Sequence, residues 1–334
     1  MFVKAILKNN RGVALLLAVT VVSLLIAATV QFSKEMRQEL MSSANSLSIN
    51  TLGIMVKSGY NLAAAVLLAE DDDNQADTLQ ESWALLENQE MSQLYPRTIL
   101  SVAIEDLGGR IPLNSLLGSS DGGDDVAAQR TGEVLKRLLL SEDVVEVTEE
   151  RADLIIAAIA NWVDKDDEED GLESTESSFY RGLQPSYASK NKPMEFVEEL
   201  LLIRGITREL YYGDRDHLGL RDLVTVHGTE GTININTAPK AVLKALSSAM
   251  SDDLADQLIA FREDEKNRDQ LGNSMWYTNV LPGDVVIENG LLVTGSSFYR
   301  ITARAENNGI EKTLSATVQK QTDKTLTTLN RRLE

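Results

Sequence analysis

The chain has 334 residues, 43% of them hydrophobic, which is enough to bury more than one core. Its formal net charge is -19, which argues against nucleic acid, whose phosphates an acidic surface repels. There is no cysteine, and the only histidines are His217 and His227, so disulfides, thiolate metal sites and histidine-based centres have little to be built from.

The first twelve residues, MFVKAILKNNRG, carry Lys4, Lys8 and Arg11 and no acid. Val13 to Val30 follows without a charge. As a helix, 18 residues rise roughly 27 Å, about the thickness of a bilayer's hydrocarbon core. The positive flank comes first, so the N-terminus stays cytoplasmic and the rest crosses. A cleaved secretory signal would end in small residues and a loop. Here the helical pattern runs on to about residue 70, with Phe32, Met36, Leu40 and Leu47 near one face and no proline before Pro96. One long helix is expected.

EDDDNQAD, from residue 70, reads as a solvated turn, and ESWALLENQEM as a short helix. RTILSVAIEDLGGRIPLNSLL predicts a hairpin turning at Gly108-Gly109. AAQRTGEVLKRLLL and ERADLIIAAIANWV are helices, the second with a stripe of Leu154, Ile155, Ile156, Ile159 and Val163. KPMEFVEELLLIRGITRELYYG reads as two helices about Gly205. LVTVHGTEGTININT is a strand candidate. NTAPKAVLKALSSAMSDDLADQLIAFREDE is a second helix pair, capped by Asn236 or Thr237 with Pro239 in the first turn. Both pairs look like SAM-like or helix-hairpin-helix modules. Acids outnumber Lys and Arg across them, so packing or protein binding is favoured over DNA. A closing hairpin turns at Asn307-Asn308-Gly309. The fold class is α+β: a long N-terminal helix on a small antiparallel sheet, with a large helical insertion.

Between the insertion's helices lies NWVDKDDEEDGLESTESSFY, residues 161–180, with eight carboxylates and one lysine. Calcium takes six to eight oxygen ligands. Asp164, Asp166, Glu168 and Asp170 alternate, so an irregular loop can turn several inward, and Gly171 permits a bend. The spacing is not that of an EF-hand: counted from Asp166, the twelfth place is Ser177. A solvated acidic loop is the alternative. Magnesium fits less well, because it demands tight octahedral geometry.

Gly12 before VALLL resembles a type IV pilin-like N-terminus. In that family a prepilin peptidase cuts after such a glycine, which would make Val13 the first mature residue, N-methylated. Most members carry glutamate as the fifth mature residue. Leu17 stands there instead, which fits a subunit with no other ahead of it. The chain as a whole resembles the K minor pseudopilin family of the type II secretion system. The resemblance rests on Trp162 to Asp166, Glu176 to Tyr180, Pro185 to Tyr187, NKPMEFVEELLLIRGIT and ININTAP. The chain departs from the family pattern at Asn161 and at Ser174-Thr175.

This resemblance implies a tip subunit that initiates or caps the pseudopilus together with the I and J minor pseudopilins, beside other pseudopilins. It implies a single-pass inner-membrane protein of a bacterial cell, its C-terminal domain in the periplasm, with calcium in the insertion. The ligand set it suggests is Asp164, Asp166 and Glu176, then Asp170 and Asp167. The implied division is a leader at 1–12, an N-terminal helix at 13–70 with its transmembrane part at 13–30, and the first part of the pseudopilin domain at 71–113. The inserted helical domain follows at 114–221, a strand with the second module at 222–283, and the closing hairpin and tail at 284–334. A minor pilin of a related type IV pilus is the near alternative. A membrane-anchored metal hydrolase is the remote one, for which the chain offers no positioned base and no Gly-x-Ser-x-Gly motif.

Overall fold

The computed structural model describes residues 10–69, 76–86, 98–117, 126–164 and 177–334. Helix α1 spans Asn10–Ala69, 60 residues without a break. Leu, Ala and Met favour helix along it, and its hydroxyls are spent locally: Thr20 on the Leu17 carbonyl at 2.8 Å, Thr29 on that of Leu25 at 2.7 Å. The apolar stretch from Val13 to Val30 is exposed throughout, and Phe32, Met36, Leu40 and Leu47 are exposed beyond it. From Leu52 onward the helix acquires a buried face. Leu52, Met55, Val56, Ala63 and Leu67 recur at helical spacing and are at most 3% exposed.

That face lies on a four-stranded antiparallel sheet of order β1-β6-β7-β8. The strands are β1 (Ile99–Asp106), β6 (Phe298–Asn307), β7 (Ile310–Lys320) and β8 (Leu326–Leu333). Alternation sets the two faces. Tyr299, Ile301, Ala303 and Ala305 of β6, and Leu314, Ala316 and Val318 of β7, are fully buried in the helix-sheet core. Arg300, Thr302 and Arg304 alternate with them. The expected closing hairpin is present, β6 and β7 turning through Asn308 and Gly309 at φ 51° and 77°.

Three sequence expectations are corrected. Gly108-Gly109 does not turn a hairpin. β1 pairs with β6, while β2 (Ile111–Pro112) leaves the sheet and pairs in parallel with β3 (Val224–Thr225). The glycines serve close approach instead: a Cβ on Gly109 would lie 2.7 Å from the Ala238 nitrogen. Second, the terminal residues taken as a tail form β8, paired to β7 with a bulge at Thr317/Val318. Third, neither Asn236 nor Thr237 caps the helix after them. Pro239 holds the cap position and its carbonyl accepts from the Leu243 amide at 3.0 Å. Asn236 is buried and bonds the Trp276 indole at 2.9 Å and the Leu271 carbonyl at 3.0 Å.

Between β1 and β6 lies a second, mainly helical body with its own apolar core. Its helices, which follow the short α2 (Ser82–Leu85), include α3 (Val126–Leu139) and α4 (Glu149–Val163), the latter capped by the Thr148 side chain. On α4 the buried residues are Ala152, Ile155, Ala158, Ile159, Trp162 and Val163, so the stripe is rotated from expectation and Leu154 and Ile156 flank it. The segment about Gly205 is a 3-10 turn at Val197–Leu202 and a short helix at Arg208–Tyr212. Gly205 has φ +87°, and a Cβ there would sit 2.8 Å from Ile155. The second pair is Lys240–Ala245 and Asp252–Glu263, the latter capped by Ser251. Here the strand candidate resolves into β3 and β4 (Ile233–Asn234), β4 pairing in parallel with β5 (Leu292–Val293).

Candidate functional site

Three regions carry chemistry: the exposed helix, the ends of the acidic run, and the seam between the two bodies. Gly12 and Val13 lie in the first turns of α1, and nothing comes within 4 Å of a Cβ placed on Gly12. Among the described residues, one helix is long and apolar enough to cross a membrane. It is α1, and its most apolar window has no buried residue.

Of the metal-ligand candidates, Asp164 is described. It ends α4, its amide bonding the Ala160 carbonyl at 3.0 Å. Asp166, Asp167, Asp170 and Glu176 lie outside the described residues, as do residues 70–75 of the expected solvated turn at 70–77. The last residue of that turn, Asp77, is not solvated, its side chain being 13% exposed and accepting from the Tyr299 hydroxyl. Among the described residues no group of three His, Cys, Asp or Glu is placed to hold a metal.

The flanks of the run are held firmly. Trp162 meets Tyr180 edge-on at 5.4 Å and Tyr187 at 6.4 Å, and Tyr180 stacks on Tyr187 at 5.3 Å. Such pairs each add about 0.5–1.5 kcal/mol beyond area burial. The Trp162 indole donates to Glu199 at 3.1 Å. That carboxylate also takes Lys190 Nζ at 2.8 Å and the amides of Glu195 and Phe196. Burial pushes the Glu199 carboxyl up, but these bonds outweigh it and leave it below the usual carboxylate range. The motif residues Trp162, Tyr180 and Tyr187, far apart in sequence, thus form one cluster that brings the two ends of the acidic run together. An oxygen-only donor set between fixed ends suits a hard cation such as calcium in kind.

At the seam lies a polar network, of which the sequence motifs point only to the ININT residues Asn234 and Thr237. Asp106 Oδ2 accepts from Asn234 Nδ2 at 3.0 Å, Ser296 Oγ at 2.7 Å and Thr237 Oγ1 at 2.5 Å, and Oδ1 accepts from the Gly108 amide at 2.7 Å. Asp77 accepts from the Tyr299 hydroxyl at 2.5 Å and the Ser296 amide at 2.6 Å. Burial raises the Asp106 carboxyl to about 6, against the hydrogen bonds that lower it and with a contribution from Asp77 that adds to the rise.

A cleft of about 840 Å³ separates the outer sheet face from the helical body, with Phe196 and Tyr212 on one wall and Thr313, Ser315 and Thr317 opposite. Of its arginines, Arg221, Arg300 and Arg332 lie near carboxylates, Asp222 at 3.4 Å, Glu105 at 3.5 Å and Glu334 at 2.5 Å, while Arg331 lies over the Tyr60 ring.

Comparison with known proteins converges on one family. The family description "Type II secretion system (T2SS), protein K" matches residues 109–220 and, in a second domain, residues 233–270. The type II secretion system protein K of Pseudomonas aeruginosa is 28% identical over 250 residues, 72% of this chain and 68% of that protein. That of Aeromonas hydrophila is 28% identical over 210 residues, 61% of each chain, and that of Klebsiella pneumoniae 27% identical over 210 residues. The chain thus spans about three fifths of the length of the latter two, 61% and 60%. A chain in the crystal structure of the GspK-GspI-GspJ complex from enterotoxigenic Escherichia coli has the same fold. The TM-score is 0.66 at 18% identity, over 87% of this chain and 99% of that one.

Proposed function

The chain belongs to the type II secretion system protein K family, and from that membership we propose that it is a minor pseudopilin seated at the pseudopilus tip. There it starts or caps assembly with the I and J minor pseudopilins and so supports protein export. What supports the reading is the division of α1: an unburied apolar stretch long enough to span the inner membrane continues without a break into a segment packed on the sheet. The sheet and the helical body then belong on the periplasmic side. Leu17 supports the tip position, since a carboxylate there would go unpaired in lipid at a cost of about 2.5–3.5 kcal/mol or more. The function is structural, without catalysis. The two short helix pairs, read as SAM-like modules, act as packing units of the body.

Asp164, Asp166, Asp167, Asp170 and Glu176 would hold a calcium ion. The ion would neutralise the crowded run and pin it, so that binding energy becomes folding energy. Prepilin peptidase would release the leader after Gly12. The test of the tip role is co-purification: the full chain in detergent should retain the I and J proteins at micromolar concentration and should not polymerise alone. Loss of both partners under those conditions refutes the tip assignment.

A further inference from the structure

The seam between the two bodies is built around two acids with few cations. Asp106 ends β1, whose Leu100, Val102 and Ile104 belong to the sheet core, whereas Ile233, Ile235 and Ala238 belong to the helical core. Asn234 and Thr237 reach across to the Asp106 carboxyl. The Asn234 amide crosses as well, to the Gly108 carbonyl at 2.8 Å. Both acids use the same partners: Asn234 Nδ2 also donates to the Asp77 carbonyl at 3.0 Å, and Ser296 gives its hydroxyl to Asp106 and its amide to Asp77. Lys320 Nζ stands 3.8 Å from Asp77. Arg110 is bound to Glu105 at 2.8 Å, and Arg300 lies 3.5 Å from the same carboxylate. Glu81 is taken by the Trp83 indole, and Arg262 by the carbonyls of Ile235 and Ala238. The Tyr299 hydroxyl is held neutral, its ionisation pushed well up by burial and then by Asp77.

We propose that Asp106 is a proton-operated latch: taking up a proton tightens the seam between the sheet and the helical body, and releasing it loosens the seam. Closing the seam strips the half-buried Asp106 carboxylate of most of its water and sets it beside a second acid, so the anion opposes closure. The neutral acid does not, and it keeps its partners, because the Thr237 and Ser296 hydroxyls accept as readily as they donate. In the open, hydrated seam the carboxyl has its ordinary value of 3.8, and in the closed one about 6. The raised value belongs to the closed state, so closure is fully favoured below 3.8 and weakens as pH rises through 6. Between pH 5.0 and 7.5 these two values weaken closure by about tenfold.

Hydrogen exchange of the full chain in detergent, corrected for intrinsic rates, reads this at the Asn234 amide. The expected result is about tenfold greater protection at pH 5.0 than at 7.5. Asp106→Asn, a stand-in for the neutral acid, should remove that difference and be at least as protected as the unsubstituted chain at pH 7.5. Charging of His227 in acid is common to both chains and cancels in the comparison. Loss of protection in Asp106→Asn at both pH values, or survival of the tenfold difference, overturns the proposal. If that variant does not fold, Thr237→Val removes one bond that favours the anion and should move the midpoint to higher pH. A midpoint that is unmoved or lowered overturns the proposal equally.

Discussion

Gly53 and Gly59 stand six residues apart on α1, and the sequence treats them alike, since glycine inside a helix costs about 1 kcal/mol relative to alanine. The structure separates them. A Cβ on Gly53 meets nothing within 4 Å, whereas one on Gly59 would lie 2.9 Å from Val102 Cγ2, 3.2 Å from Ala303 Cβ and 3.4 Å from Leu100 Cδ1. Gly53→Ala should therefore stabilise the protein by about 1 kcal/mol. Gly59→Ala gains the same backbone contribution but must lift α1 from the sheet or shift Val102, at a cost of about 1–3 kcal/mol. The backbone gain cancels between the two variants, so their difference isolates the helix-sheet contact at about 1–3 kcal/mol. Scanning calorimetry of the full chain in detergent should place Gly59→Ala about 2–12 °C below Gly53→Ala. Equal melting temperatures, or a more stable Gly59→Ala, would refute the packing of α1 against β1 and β6 described above.

Other outcomes follow from the same geometry. His227 stacks on Phe298 at 5.1 Å, and burial, then Arg300, lowers it from 6.5 to about 4. The folded form disfavours its proton, so this contribution is present above 6.5 and lost as pH falls toward 4, by about 2 kcal/mol after allowance for partial exposure. Urea midpoints measured across that range should fall less in His227→Gln, and parallel curves would disprove the assignment. Calcium at 100 times its dissociation constant should stabilise the full chain by about 2.7 kcal/mol. Asp164→Ala with Asp166→Ala should abolish the gain. An equal shift with magnesium, or a calcium shift surviving the double substitution, would mean that the acidic run is only a solvated face. Mass spectrometry of the chain from its native membrane should find Val13 first. Removing Lys4, Lys8 and Arg11 takes the formal charge from -19 to -22, and an intact Met1 in cells with active peptidase would rule the cleavage out.

The elements legible in the sequence were those whose partner is close in the chain or is a uniform solvent. α1 could be read because an uncharged run answers to lipid and needs no neighbour, and β6 and β7 because Asn308-Gly309 joins strands whose alternation already names the buried face. The family motifs could be read too, but not their purpose. Trp162, Tyr180 and Tyr187 meet through folding alone, and nothing local in ININT says that Asn234 and Thr237 reach to Asp106. Where local signals failed, a distant segment had supplied the missing partner. β1 found β6 nearly two hundred residues on, which left Gly108-Gly109 with no hairpin to turn, and Asn236 went to the Trp276 indole and so capped nothing. Turn and cap preferences amount to about 1 kcal/mol each. A buried indole or carboxyl left without a partner costs about 1–3 kcal/mol or more, so only the tertiary structure could decide which of the two demands those residues would meet.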